Sequence, residues 1–390
     1  MKVSYIATAI LLGSVGAAPS SKQSGHESDA LTAQGLLNLG KYLSKNGYPN
    51  AHKCNAKNTS VRREWSTLSS AEKTEYIRAV QCLANTPAKT PSSIAAGAKN
   101  RYDDFVATHI NQTLFIHGTG NFLTWHRYFT WAYEQVLRTE CGFTGTQPYY
   151  NWAWWASDPA KSPTFDGSAT SMSGDGSYVA NRNYTCIPSP DQCGVKIPPG
   201  NGGGCVKSGP FTNWTVNLGP VSPVLSGLKP NPETSGLGYN PRCLRRDISK
   251  AASAGWTKDS DVASLIKKCK DFLSFSTTMQ GDFPNGFLGV HTGGHFTIGG
   301  DPGGDLFASP ADPAFFLHHA MIDRTYWTWQ NQDITARQYA LGGTITLNNL
   351  PPSRNATLSD EIDFGFVGVP KQTIKDLSNT LAGPFCYVYA

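Results

Sequence analysis

Six of the nine histidines in this 390-residue chain fall into two clusters far apart in sequence. His109, His117 and His126 form the first, and His291, His295 and His319 the second. Each cluster offers three neutral nitrogen ligands to one metal ion. Imidazole suits copper, zinc, iron and nickel, so ligand type alone leaves several metals open. The ligands that are missing narrow the choice. A non-haem iron oxygenase uses two histidines and a carboxylate, a blue-copper or iron–sulfur site uses cysteine, and a zinc protease carries a glutamate directly after its first histidine. The run His291-Thr292-Gly293-Gly294-His295 lacks that glutamate. What remains is a pair of all-imidazole sites serving copper in both oxidation states, with dioxygen as co-substrate. The ordinary alternative is a set of structural histidines satisfied by local hydrogen bonds.

The elements that must position these side chains are helices. His291 and His295 are four residues apart, so on a helix they share one face and can close on one ion. The third nitrogen of that site comes from a second helix, which patterning places over about 319–330. Residues 100–110 read as a helix ending near His109, and residues 122–138 alternate ligands, aromatics and leucine in the manner of a buried helix. Between residues 60 and 85 a Ser-x-x-Glu capping pattern at Ser69 and Glu72 precedes helical spacing through Tyr76, Ile77, Val80 and Leu83. Helical patterning also covers about 259–275. From about 157 to 240 the chain turns rich in Gly, Pro, Ser and Asn, which predicts loop with short strands. The simplest architecture is mainly α, a central four-helix bundle whose inner faces hold a dicopper site, surrounded by long loops.

Two longer motifs carry a family resemblance. Phe122-Leu123-Thr124-Trp125-His126-Arg127-Tyr128-Phe129 followed by Glu134 resembles the first copper motif of the tyrosinase, catechol oxidase and haemocyanin superfamily. Asp312-Pro313, then Phe316-Leu317-His318-His319 and Asp323-Arg324, resembles the second. The likeness extends to Val61–Trp65, Arg101–Phe105, Pro148–Trp152 and Tyr387-Val388-Tyr389, and so covers about residues 50–390, closest to the short fungal polyphenol oxidases. It implies that His109, His117 and His126 bind one copper (A) and His291, His295 and His319 the other (B), with His318 beside the site; the reverse assignment of His318 and His319 stays open. Asp323, one helical turn past His319, has two readings: a carboxylate that orients an imidazole, or an ion-pair partner of a nearby arginine.

Within that family this chain departs at a point that bears on activity. Hydroxylation of a monophenol is associated with a glutamate that holds a water just before the second-site histidines, and here Gln280 stands as its counterpart. Glutamine is not a base. Thr292 follows His291 where many tyrosinases have asparagine, and Asp282 is the nearest carboxylate that could substitute. Leu306 falls where some relatives carry a bulky aromatic gate, and a leucine leaves the slot wider. The resemblance therefore implies a type-3 copper oxidase that converts ortho-diphenols to ortho-quinones with O2, with weak or restricted monophenol hydroxylation. The alternatives are a full tyrosinase with monooxygenase activity, a haemocyanin-like O2 carrier, and a glycoprotein with structural copper. The chain reaches only Ala390, which gives the expectation of an open site with no C-terminal shielding domain.

Composition and processing signals set the surroundings. With 39% hydrophobic residues the chain can bury a sizeable core, and its thirty-odd Phe and Tyr residues predict either aromatic pocket walls or plain core. The formal charge of +5 is small and spread along the chain, which gives no reason to expect a nucleic-acid partner. Lys2 and the apolar stretch from Val3 to Ala18 read as a secretory signal over residues 1–18, residues 19–30 as a flexible start or short propeptide, and residues 31–390 as one copper domain. A secreted protein without a membrane span follows. All nine cysteines lie beyond that signal, so most should pair in an oxidising compartment and at least one must be left over. Five Asn-x-Ser/Thr sequons, at Asn58, Asn111, Asn183, Asn213 and Asn355, fit N-glycosylation. Small phenols are the expected partners, and oligomeric state is not readable from the chain.

Overall fold

A computed structural model of the protein describes residues 25–225 and 227–390. The stretch read as a signal lies outside them. The main helices are α1 (Glu27–Asn46), α2 (Ser70–Asn85), α3 (Arg101–Gln112), α4 (Phe122–Cys141), α5 (Lys250–Trp256), α6 (Asp259–Lys268), α7 (Phe272–Gln280), α8 (Gly289–Ile298) and α9 (Phe315–Gln332). The bundle formed by α3, α4, α8 and α9 carries the clustered histidines, with His117 in the turn after α3. Helix α9 lies at its centre and buries every residue from Phe315 to Asn331, as a helix surrounded by others must.

Local chemistry starts and stops these helices. Ser69 and Glu72 form the expected capping box on α2. At α3 the Asn100 side chain accepts from the Asp103 amide at 3.0 Å while the Asp103 carboxylate accepts from the Asn100 amide at 3.2 Å. Helix α4 stops at Gly142, whose left-handed φ of 65° lets the next amide, that of Phe143, reach back to the Leu137 carbonyl. The pattern over 259–275 is not one helix. Asp271 accepts from the Ser274 amide at 2.8 Å and so begins α7 afresh, because a short acidic side chain gains more as a cap than in a helix interior. Helix α9 begins four residues before the expected point, where the Asp312 carboxylate takes the Ala314 amide at 2.8 Å. Residues 60–62 are strand rather than helix.

Of residues 19–30, read as a flexible start or short propeptide, the stretch from Glu27 onward is helical. Helix α1 is well formed, and its first amides are capped from a distant helix: Asp259 accepts from the Glu27 amide (2.7 Å), the Ser28 amide (3.0 Å) and the Ser28 hydroxyl (2.5 Å). The helix then packs along α9, with Thr32 bonded to Thr328 and Asn38 to the Asn331 carbonyl. Its partners lie more than 230 residues away, although Leu36, Leu39 and Leu43 recur at helical spacing within it.

The 157–240 region is loop with short strands, as predicted. A hairpin of β1 (Thr185–Ser189) and β2 (Gln192–Ile197) is closed by Cys186–Cys193, and Cys205–Cys243 staples the end of the excursion. Cys82–Cys141 joins the ends of α2 and α4, Cys54–Cys386 joins the two ends of the fold, and Cys269 is free and buried. The aromatics are mainly core: Tyr133 stacks flat on Phe316 and Phe105 packs edge-on against both Phe129 and Tyr133.

One buried polar group sits among them. Asp323 of α9 accepts from Arg127 Nε of α4 (2.5 Å), Tyr387 (2.6 Å), Tyr389 (2.7 Å) and Arg62 (3.4 Å), while Arg62 also reaches Glu134 at 2.7 Å. Of the two readings of Asp323, the ion pair is the one observed; the carboxylate approaches no imidazole, because the arginines and tyrosines saturate it. Asp323→Ala leaves two arginines buried with too few acceptors and is expected to destabilise the fold by about 3–5 kcal/mol, read from urea unfolding. A loss below about 1 kcal/mol would show that solvent or Glu134 can take its place.

Candidate metal centre

The first histidine cluster is oriented by main-chain carbonyls. Nδ1 of His109 donates to the Phe307 carbonyl (2.7 Å), Nδ1 of His117 to that of Thr113 (3.0 Å) and Nδ1 of His126 to that of Phe122 (2.8 Å). A carbonyl can only accept, so each Nδ1 carries the proton and each Nε2 presents a lone pair. The Nε2 atoms of His109 and His126 are buried with no partner, and the candidate ligand atoms of all three rings lie within 4.8 Å of one another. Orphaned, convergent lone pairs in a buried site are what a metal ion would satisfy.

The second cluster is built by packing. His291, His295, His318 and His319 also converge within 4.8 Å, and the Nε2 atoms of His295 and His319 stand 3.2 Å apart. Gly293 and Gly294 let α8 approach its neighbours: a Cβ on Gly293 would lie 2.7 Å from Trp256 Cβ, and one on Gly294 would lie 2.2 Å from the His318 ring. His318 differs from its neighbour. Its Nδ1 accepts from Trp152 Nε1 at 3.1 Å, so its proton resides on Nε2. The rings of His126 and His319 stack at 4.5 Å between centroids, which brings the two clusters together as one chamber.

Loss of water around the rings lowers all seven imidazole pKa values, to about 4 for His117 and about 3 for His295. They are therefore neutral at ordinary pH. His295 is the half-buried member of the seven.

The other singled-out residues are placed as follows. Gln280 accepts from the Gly118 amide at 2.7 Å, donates to both oxygens of Ser276 at 3.2 Å, and receives the Thr292 hydroxyl on its own carbonyl at 2.7 Å. Asp282 is exposed and bonded to Asn285, away from the histidines. Leu306 is exposed, on the segment whose next residue orients His109. Asn58, Asn111, Asn183, Asn213 and Asn355 are all exposed.

Residues 99–332, which contain both clusters, match the model of the common central domain of tyrosinase. This chain belongs to the tyrosinase family. It is 42% identical over 326 residues to the tyrosinase-like protein orsC of Emericella nidulans, covering 81% of this chain and 86% of that one. It is 39% identical over 356 residues to the N-acetyl-6-hydroxytryptophan oxidase ivoB of the same organism, covering 88% and 95%. A variant of the polyphenol oxidase from Thermothelomyces thermophila superposes with a TM-score of 0.87 at 42% identity, over 93% of this chain and 98% of that structure. The tyrosinase-family chain is thus an oxidoreductase of the tyrosinase, catechol oxidase and polyphenol oxidase type, with a type-3 copper centre that acts on phenols.

One supporting residue of this tyrosinase-family site is invisible as such in the sequence. Asp305 is buried, and its carboxylate accepts the amides of Val221 (2.7 Å), Phe307 (2.8 Å), Ser222 (3.2 Å) and Ala308 (3.2 Å). It thereby fixes the peptide whose carbonyl takes the His109 proton. Its position seven residues before Asp312 was the available signal, but no spacing rule links it to His109. Asp305→Ala is expected to lower copper content toward half that of the parent while the fold persists. Unchanged copper content in a folded variant would remove Asp305 from the site.

Acid should also unfold the metal-free protein. The folded histidines hold pKa values below the unfolded 6.5, so the stability they contribute is present above pH 6.5 and is lost as pH falls toward the folded values, at about 1.4 kcal/mol per histidine per pH unit. Glu64 and Asp103 act oppositely. Burial raises Glu64 to about 7 and Asp103 to about 6, so their contribution is present at low pH and lost as pH rises to those values. Burial raises Asp175 and Asp305 as well, and seven rings outweigh these four carboxyls. The urea midpoint of metal-free protein is expected to drop between pH 7 and pH 5, and a flat or rising midpoint would contradict this balance.

Proposed function

We propose that this protein oxidises ortho-diphenols to ortho-quinones with O2, hydroxylating monophenols weakly. His109, His117 and His126 would hold copper A through Nε2, and His291, His295 and His319 copper B. When bound, the coppers supply reversible one-electron redox capacity at each ion and a place for dioxygen. Each diphenol releases two electrons and two protons, and one O2 takes four of each from two diphenols to give two waters. The chain's own part is to keep the imidazoles neutral and aimed, to exclude bulk water from the chamber, and to admit a flat ring past His295 and Leu306.

The observation that carries the preference for diphenols is Gln280. Its amide oxygen and nitrogen are both committed, to Gly118 and Ser276, so the position offers no base for a phenolic proton. A second reading has its own support: a relative is named as an oxidase of N-acetyl-6-hydroxytryptophan, whose indole carries a single hydroxyl. Disulfides, exposed sequons and the stretch at residues 1–18 further support a secreted glycoprotein, and no helix among the described residues is long and apolar enough to cross a membrane. Parallel pairing of Ser60–Arg62 with Tyr387–Tyr389 ties segments on either side of residues 99–332 together, which supports one tyrosinase-type domain extending well beyond those residues.

Oxygen uptake by copper-loaded protein tests the reading. Fast uptake with catechol and at least tenfold slower uptake with a simple monophenol is expected. Because a positioned base contributes roughly a hundredfold or more, Gln280→Glu should raise the monophenol-to-diphenol ratio about tenfold. Equal rates on both phenols in the parent would make it a full tyrosinase, and no uptake with either would favour an oxygen carrier.

A further inference from the structure

The outward side of α3, turned away from the histidine chamber, forms one wall of a groove of about 240 Å³. Ala107, Thr108 and Asn111 of α3 face Ile94, Leu237 and Phe366 across it. Ile94 and Phe366 are 47% and 41% exposed, so two large apolar side chains stand open to water at its edge. The walls are held firmly: Gln112 donates to the Asp363 carbonyl at 2.8 Å and accepts from Trp125 at 2.8 Å, and Thr108 bonds to the Phe364 carbonyl at 3.4 Å. The groove is therefore preformed.

Asn111 heads the sequon Asn111-Gln112-Thr113, and it lies two residues past His109, on the opposite side of the helix. We propose that this groove seats the first N-acetylglucosamine of a glycan carried by Asn111, an inference that rests on the reading of Asn111 as glycosylated. One face of that sugar presents only C–H groups, and its acetamide ends in a methyl, so it can cover Phe366 and Ile94 while its hydroxyls stay in water. Tethering at the groove wall removes most of the association entropy that a free sugar would lose. Two other sequons lack this combination: the Asn58 amide is already bonded to the Lys53 carbonyl, and the concavity beside Asn213 is lined largely by polar groups such as Gln81, Asn85 and Asn100.

The linkage forms when the Asn111 amide nitrogen displaces a polyprenyl diphosphate from C1 of the donor oligosaccharide, giving up one proton. Thr113 is buried in the folded protein and its hydroxyl donates to the His109 carbonyl at 2.6 Å. A sequon hydroxyl engaged in this way is not accessible to a transferase, so attachment precedes the folding of α3.

The test uses full-length protein secreted by a eukaryotic host, with peptide mapping for occupancy and thermal unfolding for effect. Asn111 is expected to be occupied. Trimming the folded protein to the single linked sugar should leave the unfolding midpoint unchanged, whereas removing that sugar with a glycosyl-asparagine amidase, or by Asn111→Gln, should lower it by about 2 °C or more. In a Phe366→Ala background the same removal should have no effect, as contact between the two requires. An unoccupied Asn111 overturns both the glycosylation and the seat. An occupied Asn111 whose removal has no effect on the midpoint, or an effect that persists undiminished in Phe366→Ala, overturns the seat alone.

Discussion

The buried contact between Arg127 and Asp323 is the constraint on which the rest of the structure depends. Arg127 follows His126 on α4, and Asp323 lies one turn beyond His319 on α9, so their 2.5 Å bond joins the two ligand helices just behind the chamber. Charges placed there must be satisfied from all sides. Arg62 and the two C-terminal tyrosines complete the shell of Asp323, and Arg127 gives its remaining N–H groups to Gln330 and to the carbonyls of Leu377 and Ser378. The parallel pairing of Ser60–Arg62 with Tyr387–Tyr389 follows as the arrangement that delivers Arg62, Tyr387 and Tyr389 to one point.

The two histidine clusters reach the same result by different means. In the first, hydrogen bonding selects the tautomer of each ring, twice from within the local turn and once, for His109, from a carbonyl supported by Asp305. In the second, steric fit dominates, with the glycine pair of α8 admitting Trp256 and His318 and with Trp152 holding His318 in one tautomer. A ligand set assembled by two independent devices gives two ions related but unequal surroundings. His295, in the second cluster, is the one half-buried ring of the seven. Gln280 couples the clusters, since it takes the amide next to His117 on its side chain and the Thr292 hydroxyl on its carbonyl.

Much of this was legible in the chain, and the reason is that it rests on short-range geometry. Four-residue spacing puts His291 and His295 on one helical face, a capping pattern locates α2, and the donor set of six imidazoles restricts the metal chemistry before any fold is known. The midsection was legible as loop because glycine and proline punctuate it.

What tertiary structure alone decided joins residues too far apart for any spacing rule. The choice between two roles for Asp323 depended on Arg127, 196 residues away, and the orientation of His109 on a carbonyl 198 residues away. Asp259 caps helix α1 and α9 packs along it from more than 230 residues away, and Trp152 fixes the tautomer of His318. The cysteine count foretold one thiol left over, but which thiol, and how the other eight pair, followed only from where the folded chain brought them. Local sequence determines what a residue can do and which way a helix faces; only packing determines which partner is there to meet it.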